Sequence, residues 1–331
     1  MTNRYKNVYL DTVSTVVGPY EQSGPLANKF DRSYKDLYFN ASSFEKAEIQ
    51  LMHESIEILL KKKKMKNTDI QLFIAGDLQN QIVSASYNAL KLGAPFIGIY
   101  SACASNVEGL IIASNYLENK RVDNCLVSVS SHNMVSEKQF RNPTEYGAPK
   151  PSSATFTATG GASALLSNKK SDIKIESSTL GRVIDMDQVD PNNMGACMAG
   201  AAIDTIYRHL KDLNRDANYY DLIVTGDLGK YGKEIVIEYM KKEYHIDLSK
   251  NYNDCGIMLY DIEKQKDVQA GGSGPVCSAL VMYSDIIPKM RNKKIKRVLY
   301  VATGALFNPT MVFQKENILS IAHAISLEVL N

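Results

Sequence analysis

Along the chain, short apolar runs that end in glycine or polar turns alternate with longer stretches whose apolar residues recur at helical spacing. Segments 72–78 (LFIAGDL), 97–100, 125–129, 222–228 (LIVTGDL) and 298–302 read as buried strands. Between them, Ile49, Met52, Ile56 and Leu59 mark one helix, and Val107, Leu110, Ile111 and Leu117 mark another. The first helix opens on a capping box, Ser42 with Glu45, and closes in Lys61, Lys62, Lys63, Lys64 and Lys66, where the negative end of the helix dipole favours cations. That basic run reads as a solvated helix end, with a membrane-surface patch as the alternative. Strands alternating with amphipathic helices imply parallel pairing under a cover of helices, an α/β protein.

The pattern then repeats. Segments 72–78 and 222–228 share the ending Gly-Asp-Leu about 150 positions apart. Asn119-Lys120-Arg121-Val122 precedes strand 125–129 as Asn292-Lys293-Lys294-Ile295 precedes 298–302, and Cys103-Ala104-Ser105 falls opposite Val276-Cys277-Ser278. The offset has by then grown to about 173, so about 23 residues are inserted in the second half, within roughly 238–268. Each half runs strand, helix, strand, helix, strand, and the division falls at 1–170 and 171–331. Two halves related by pseudo-symmetry give a layered α/β/α/β/α core.

Composition narrows the function. Apolar residues at 44% and charged residues at 22% are globular values. No run nears the roughly 18 apolar residues of a membrane span. The first ten residues carry Arg4 and Lys6 with no apolar stretch behind them, which argues against a cleaved signal peptide. The five cysteines (Cys103, Cys125, Cys197, Cys255 and Cys277) are scattered without a CxxC pair, so reduced thiols are expected, with no disulfide and no metal site. A net charge of +2 argues against a nucleic-acid partner, which needs clustered cations.

The first candidate for chemistry is Cys103. Strand 97–100 turns through Ser101-Ala102-Cys103-Ala104-Ser105 into a helix, so the thiol lies near a helix N-terminus, where free N–H groups and the dipole favour a thiolate. A small buried residue at a tight turn is the plainer reading. Segment 130–153, polar and carrying Pro143, Pro149 and Pro151, reads as a long loop of the kind that lines sites. His132 begins it, as a pocket residue or as a structural hydrogen-bonding one. His53, His209 and His245 fall in helical, exposed stretches, and His323 reads as packing. Ser105, Ser131, Ser273 and Thr303 are short hydroxyl residues at strand ends or helix starts, serving as caps or as ligands. The loop Gly271-Gly272-Ser273-Gly274 is too short for a Walker loop and lacks its lysine, but its place before a helix suits a compact anion.

In order along the chain stand the Gly76-Asp77-Leu78 turn, Ala94-Pro95 leading to the Cys103 helix, the serine-rich strand end at 126–134, the 158–166 stretch and the Val301-Ala302-Thr303-Gly304-Ala305 turn. This order resembles the thiolase superfamily over nearly the whole chain. There the cysteine carries the acyl group, and Cys103 occupies its place; the resemblance implies a five-layer αβαβα fold. Longer segments are similar to the stage V sporulation protein AD family of endospore-forming bacteria: 78–81 (LQNQ), Ser131-His132-Asn133, 139–147 (QFRNPTEYG), 212–215 (DLNR), 270–274 (AGGSG) and 301–306 (VATGAL).

That family implies a non-enzymatic role. Its members bind dipicolinic acid (pyridine-2,6-dicarboxylate), alone or as its calcium chelate, and help other SpoVA membrane proteins move it into the developing spore. The chain would then sit peripherally at the spore inner membrane, without a cofactor. The candidate pocket is Cys103, Ser105, His132, Arg141, Ser273, Thr303 and Gly304. Arg141 either offers a bidentate fork to a carboxylate or pins its loop through Glu137 or Glu145. Thiolases place histidines in two turns of the second half; here those turns read Gly226-Asp227-Leu228-Gly229 and Gly272-Ser273-Gly274-Pro275, and the second catalytic cysteine falls near Ala302. Of that apparatus Cys103 and the backbone N–H near Gly304 remain, so no enzyme is expected. The alternatives are an acyl-transferring enzyme that uses Cys103 with an activating residue such as His132, and a scaffold for membrane partners. Thiolase-fold proteins generally dimerise, which the resemblance assigns to strand 126–129, read as an edge strand so rich in apolar residues that it would otherwise expose unpaired backbone groups; whether this chain dimerises is left open.

Overall fold

A computed structural model describes residues 1–141 and 150–330, Arg141 by its backbone alone. Pro143, Glu145 and Pro149 of the expected loop lie outside the described residues. Ten principal strands follow the chain in two sets of five. The first is β1 (Tyr9–Val17), β2 (Phe73–Gly76), β3 (Phe96–Gly98), β4 (Asn124–Ser131) and β5 (Gly160–Ser167). The second is β6 (Ile173–Thr179), β7 (Leu222–Thr225), β8 (Tyr252–Asp254), β9 (Arg297–Ala305) and β10 (Ser320–Val329). Across the sheet the order is β3-β2-β4-β5-β1 in one set and β8-β7-β9-β10-β6 in the other, the same topology twice. In each set three neighbouring strands run parallel and the fourth lies antiparallel to both its neighbours. The sets join where Tyr9 and Leu10 of β1 pair with Lys174 and Ile173 of β6.

Seven helices supply the other layers: α1 (Phe44–Lys63), α2 (Val83–Leu92), α3 (Ser105–Glu118), α4 (Asn133–Arg141), α5 (Met194–Leu213), α6 (Gly229–Tyr244) and α7 (Pro275–Val281). α1 and α2 cover one outer face and α5 and α6 the other, while α3 and α7 lie between the two sets of strands. Every residue of α7 is buried, as a helix that is apolar all round requires. α1 buries only the stripe holding Leu51, Met52, Ile56 and Leu59. The result is five layers, αβαβα.

The expected cap of α1 is displaced by one residue. Ser43, with extended backbone, accepts from Lys46 N at 3.3 Å, and Ser42 instead bonds the Lys46 side chain. Segment 130–153 does not run as a loop throughout, since α4 occupies its first part. Strand β4 is no edge: it lies between β2 and β5, and the edges are β3 and β8. The second-half insertion comes in two parts. α6 has 16 residues where α2 has 10, and beyond β8 the chain adds a short helix, Cys255–Leu259. A strand at Gly272–Ser273, opposite residues 99–100 of the first half, then pairs with Phe156–Thr157.

The repeated Asn-Lys motifs end matching helices. Asn119 closes α3, and Asn292 closes the continuation of α7. Each is followed by a lysine in the left-handed conformation, Lys120 at φ 53° and Lys293 at φ 57°, and Lys64 after α1 does the same at φ 54°.

Candidate functional site

The C-terminal ends of β2, β3 and β4 from the first half meet those of β7 and β9 from the second around one cavity of ≈ 390 Å³. Cys103 and Ser273 lie at its buried end, and Phe313, 67% exposed, lies at its mouth. Tyr100, Phe140, Phe307, Met194 and Met198 line most of the rest, so the interior is largely apolar. Glu137 on α4 contributes a carboxylate, ion-paired with Lys150.

Cys103 is placed by a sharp turn. Ala102 before it has φ 48°, which a non-glycine residue adopts at a cost, and helix α3 begins two residues later. Gly304 allows this turn to pack. A Cβ there would stand 2.3 Å from the Ser101 carbonyl and 3.0 Å from Ala104 N, so any side chain would push the cysteine turn away from β9. Ser105 serves the same turn internally, donating to Ala102 O (2.8 Å) and accepting from Ser101 N (3.0 Å), and it does not reach the cavity.

Behind Ser273 sits Asp227, 1% exposed. Its carboxylate accepts from Thr303 Oγ1 at 2.6 Å, from Ser273 Oγ at 3.1 Å and from Gly274 N at 3.2 Å. Ser273 Oγ is also 3.7 Å from Cys103 Sγ. Because the serine's one proton is committed to the carboxylate, the thiol must donate in that contact, and a chain runs from Sγ through Ser273 to Asp227. Burial, and next the Asp227 charge, hold the Cys103 thiol well above the ordinary cysteine range. The helix start, expected to favour the thiolate, is overruled. A helix N-terminus is worth about 0.3–1 kcal/mol, less than one pKa unit, whereas burial and a neighbouring like charge each move a group by several times that. Burial likewise raises Asp227 to about 6.

The two Gly-Asp-Leu turns have different duties. Asp77 accepts from Gln79 N (2.9 Å) and Ala85 N (2.8 Å), bonding the start of α2. In the second half that role falls to Asp254 at the end of β8, which accepts from Leu228 N and Gly229 N, both at 2.9 Å, at the start of α6. Asp227 is thereby left to face the thiol.

The remaining candidates lie elsewhere. His132 is buried and turned from the cavity: Nε2 meets Leu37 O at 2.9 Å, Nδ1 accepts from Met134 N, and the ring packs on Phe39 and Phe44. Burial lowers its pKa to about 4, so it is a neutral structural residue at neutral pH. His323 accepts from Gly181 N, a packing role. His209 is fully buried, not exposed, bridging Thr179 and Tyr220. Thr303 reaches the site only through Asp227. The side chain of Arg141 lies outside the described residues. Sequence reasoning missed Asp227 as the partner of Cys103, although its turn had been singled out, and missed the aromatic wall.

The architecture and the cysteine turn define a thiolase-fold protein. Across 99% of the chain it superposes on OleA from Xanthomonas campestris bound to cerulenin (TM-score 0.63, 14% identity, 98% of that chain). It also superposes, over 99% of its length, on 3-oxoacyl-(acyl carrier protein) synthase III from Xanthomonas oryzae pv. oryzae (TM-score 0.58, 13% identity, 100% of that chain). The family model for stage V sporulation protein AD matches residues 2–328. Stage V sporulation protein AD of Bacillus subtilis (strain 168) is 44% identical over 321 residues, 97% of this chain and 94% of that one. The chain belongs to the stage V sporulation protein AD family.

Proposed function

We propose that this sporulation protein binds dipicolinic acid in the cavity above Cys103 and, held peripherally at the spore inner membrane, helps SpoVA membrane partners pass it into the developing spore without altering it. One observation carries the non-catalytic part: where an acyl-transfer site needs a base and donors, the thiol faces a buried carboxylate through Ser273. A protonated thiol beside a carboxylate is a poor nucleophile, and none of the described imidazoles with a resolved bonding partner reaches it.

The ligand assignment draws on the family resemblance and on the shape of the cavity. A volume of ≈ 390 Å³ suits a small molecule, and Tyr100, Phe140 and Phe307 suit a planar ring. The Asp227 carboxylate behind Ser273 places a negative charge next to the buried end of the cavity, while Glu137 is balanced by Lys150, and this favours the ligand as its calcium chelate over the bare dianion. Among the described residues no helix is long and apolar enough to cross a membrane, so the proposed attachment is peripheral. A homodimer is proposed through edge strand β3 in place of β4, since Tyr87, Leu90, Phe96 and Tyr100 are exposed beside it. Calorimetry tests the ligand: heat is expected with dipicolinate, with higher affinity when calcium is present, and silence at millimolar ligand under both conditions removes the reading. A second reading, acyl transfer on Cys103, is favoured by the largely apolar cavity that reaches the thiol. It predicts a mass increment on Cys103 after incubation with acyl-coenzyme A.

A further inference from the structure

The cavity occupies the C-terminal ends of the parallel strands in both halves, so the N-terminal ends of those strands, and the C-terminal ends of the helices that precede them, share the opposite face. On that face Lys61, Lys64, Lys120, Arg121, Lys293 and Lys294 are exposed, and none has a carboxylate within ion-pair distance among the described residues. Of the neighbouring acids, Asp11 is neutralised by Lys63 (2.8 Å) and Asp172 by Arg291 (3.1 Å), while Asp69, Glu118, Asp123 and Asp221 accept only from neutral donors and keep their charge. The six unpaired cations outnumber these four carboxylates, so the face keeps an excess of positive charge on a chain whose net charge is only +2.

A second observation concerns the backbone. Lys64, Lys120 and Lys293 each follow a helix in the left-handed conformation, which glycine adopts freely and lysine does not. Lysine stands at all three despite that cost, and the charge is what it offers in return.

We propose that this face docks on an anionic phospholipid bilayer, leaving the mouth of the cavity directed away from the lipid. The inference rests on the peripheral membrane attachment proposed above and names the surface responsible. Charge complementarity selects the occupant: flexible lysines at separate helix ends suit a diffuse layer of headgroups better than the regular phosphate track of a duplex.

The test is co-sedimentation with vesicles of phosphatidylcholine alone, and of phosphatidylcholine mixed equally with phosphatidylglycerol, using the full chain and the triple variant Lys64→Gly, Lys120→Gly, Lys293→Gly. The full chain is expected to bind only the anionic vesicles and to be released by salt. The variant should bind them roughly a hundredfold more weakly, melt at a higher temperature because glycine relieves the three helix ends, and keep its calorimetric response to dipicolinate. Undiminished binding by the variant would overturn this face while leaving membrane attachment standing. Failure of the full chain to bind any vesicle would remove membrane docking itself. Equal binding to neutral vesicles, tighter binding to duplex DNA, or a lower melting temperature for the variant would each overturn the argument from charge and strain.

Discussion

Replacing Asp227 by Asn separates the two influences on the Cys103 thiol, the helix start and the buried carboxylate. Asn keeps the shape of the site: its oxygen can take the Gly274 N–H while its amide faces Thr303 Oγ1. With Ser273 Oγ 3.7 Å from the sulfur and 3.1 Å from Asp227 Oδ2, charge and sulfur lie about 4–7 Å apart. At an effective dielectric of about 20 that is roughly 2–4 kcal/mol of repulsion against a thiolate, or about 2–3 pKa units. Each unit lowered raises the thiolate fraction tenfold but weakens its nucleophilicity, a net gain of about 3- to 4-fold per unit. Alkylation of Cys103 by iodoacetamide should therefore accelerate roughly 10- to 60-fold in Asp227→Asn at about pH 8. Residue-resolved mass spectrometry isolates Cys103 from the four other cysteines, all of them buried. Asp227 itself titrates at about 6, so below that pH the wild-type carboxyl is neutral and the two proteins should converge. Equal rates across the pH range, or a gap that widens in acid, would refute the assignment of the carboxylate as the restraint on the thiol.

Three further outcomes follow from the same geometry. Gly304→Ala should cost about 1–3 kcal/mol in urea unfolding, because its methyl meets the Ser101 carbonyl at 2.3 Å, and it should also weaken dipicolinate binding; an unperturbed variant would remove Gly304 from the site. His132→Ala should lose about 2–3 kcal/mol of stability through its bond to Leu37 O and its contacts with Phe39 and Phe44, with ligand affinity unchanged. Lost affinity at full stability would put His132 back in the pocket. Burial, and next the charge of Asp77, raise Glu48 well above the carboxylate range. A raised acid costs no stability below its unfolded pKa and progressively more above it. Glu48→Gln should thus match wild type near pH 4 and exceed it by roughly 1–2 kcal/mol near pH 8, read from urea midpoints, and a variant advantage that shrinks with rising pH would contradict the burial argument.

Much of this was legible in the chain. The doubled Gly-Asp-Leu strand endings and the Asn-Lys helix ends foretold two copies of one topology, since period and turn chemistry are local properties. The place of Cys103 at a strand-to-helix turn and that of Ser273 before α7 were readable for the same reason. What escaped depends on contacts between distant segments. Asp227 was noted for not being a histidine, and only its approach to Cys103 through Ser273 shows what it does instead. α4 was hidden by the polar, proline-bearing segment around it, because nine residues give too little periodicity to outweigh such neighbours. His209 looked solvated on a helix whose small residues in fact let it pack closely against the sheet, burying the imidazole between Thr179 and Tyr220. Strand β4 seemed an edge because nothing local reveals that β5 returns beside it.

That the turn aspartate holds the helix start in the first half and Asp254 holds it in the second makes the two equivalent turns unequal under substitution. Position 77 remains bound to architecture, since altering it would loosen the entry to α2. Position 227 carries no such obligation, because the start of α6 is held by Asp254, so its side chain can be changed without loosening that helix. In the second half the surroundings of the thiol and the anchoring of the helix thus rest on different carboxylates, and each can be altered without the other.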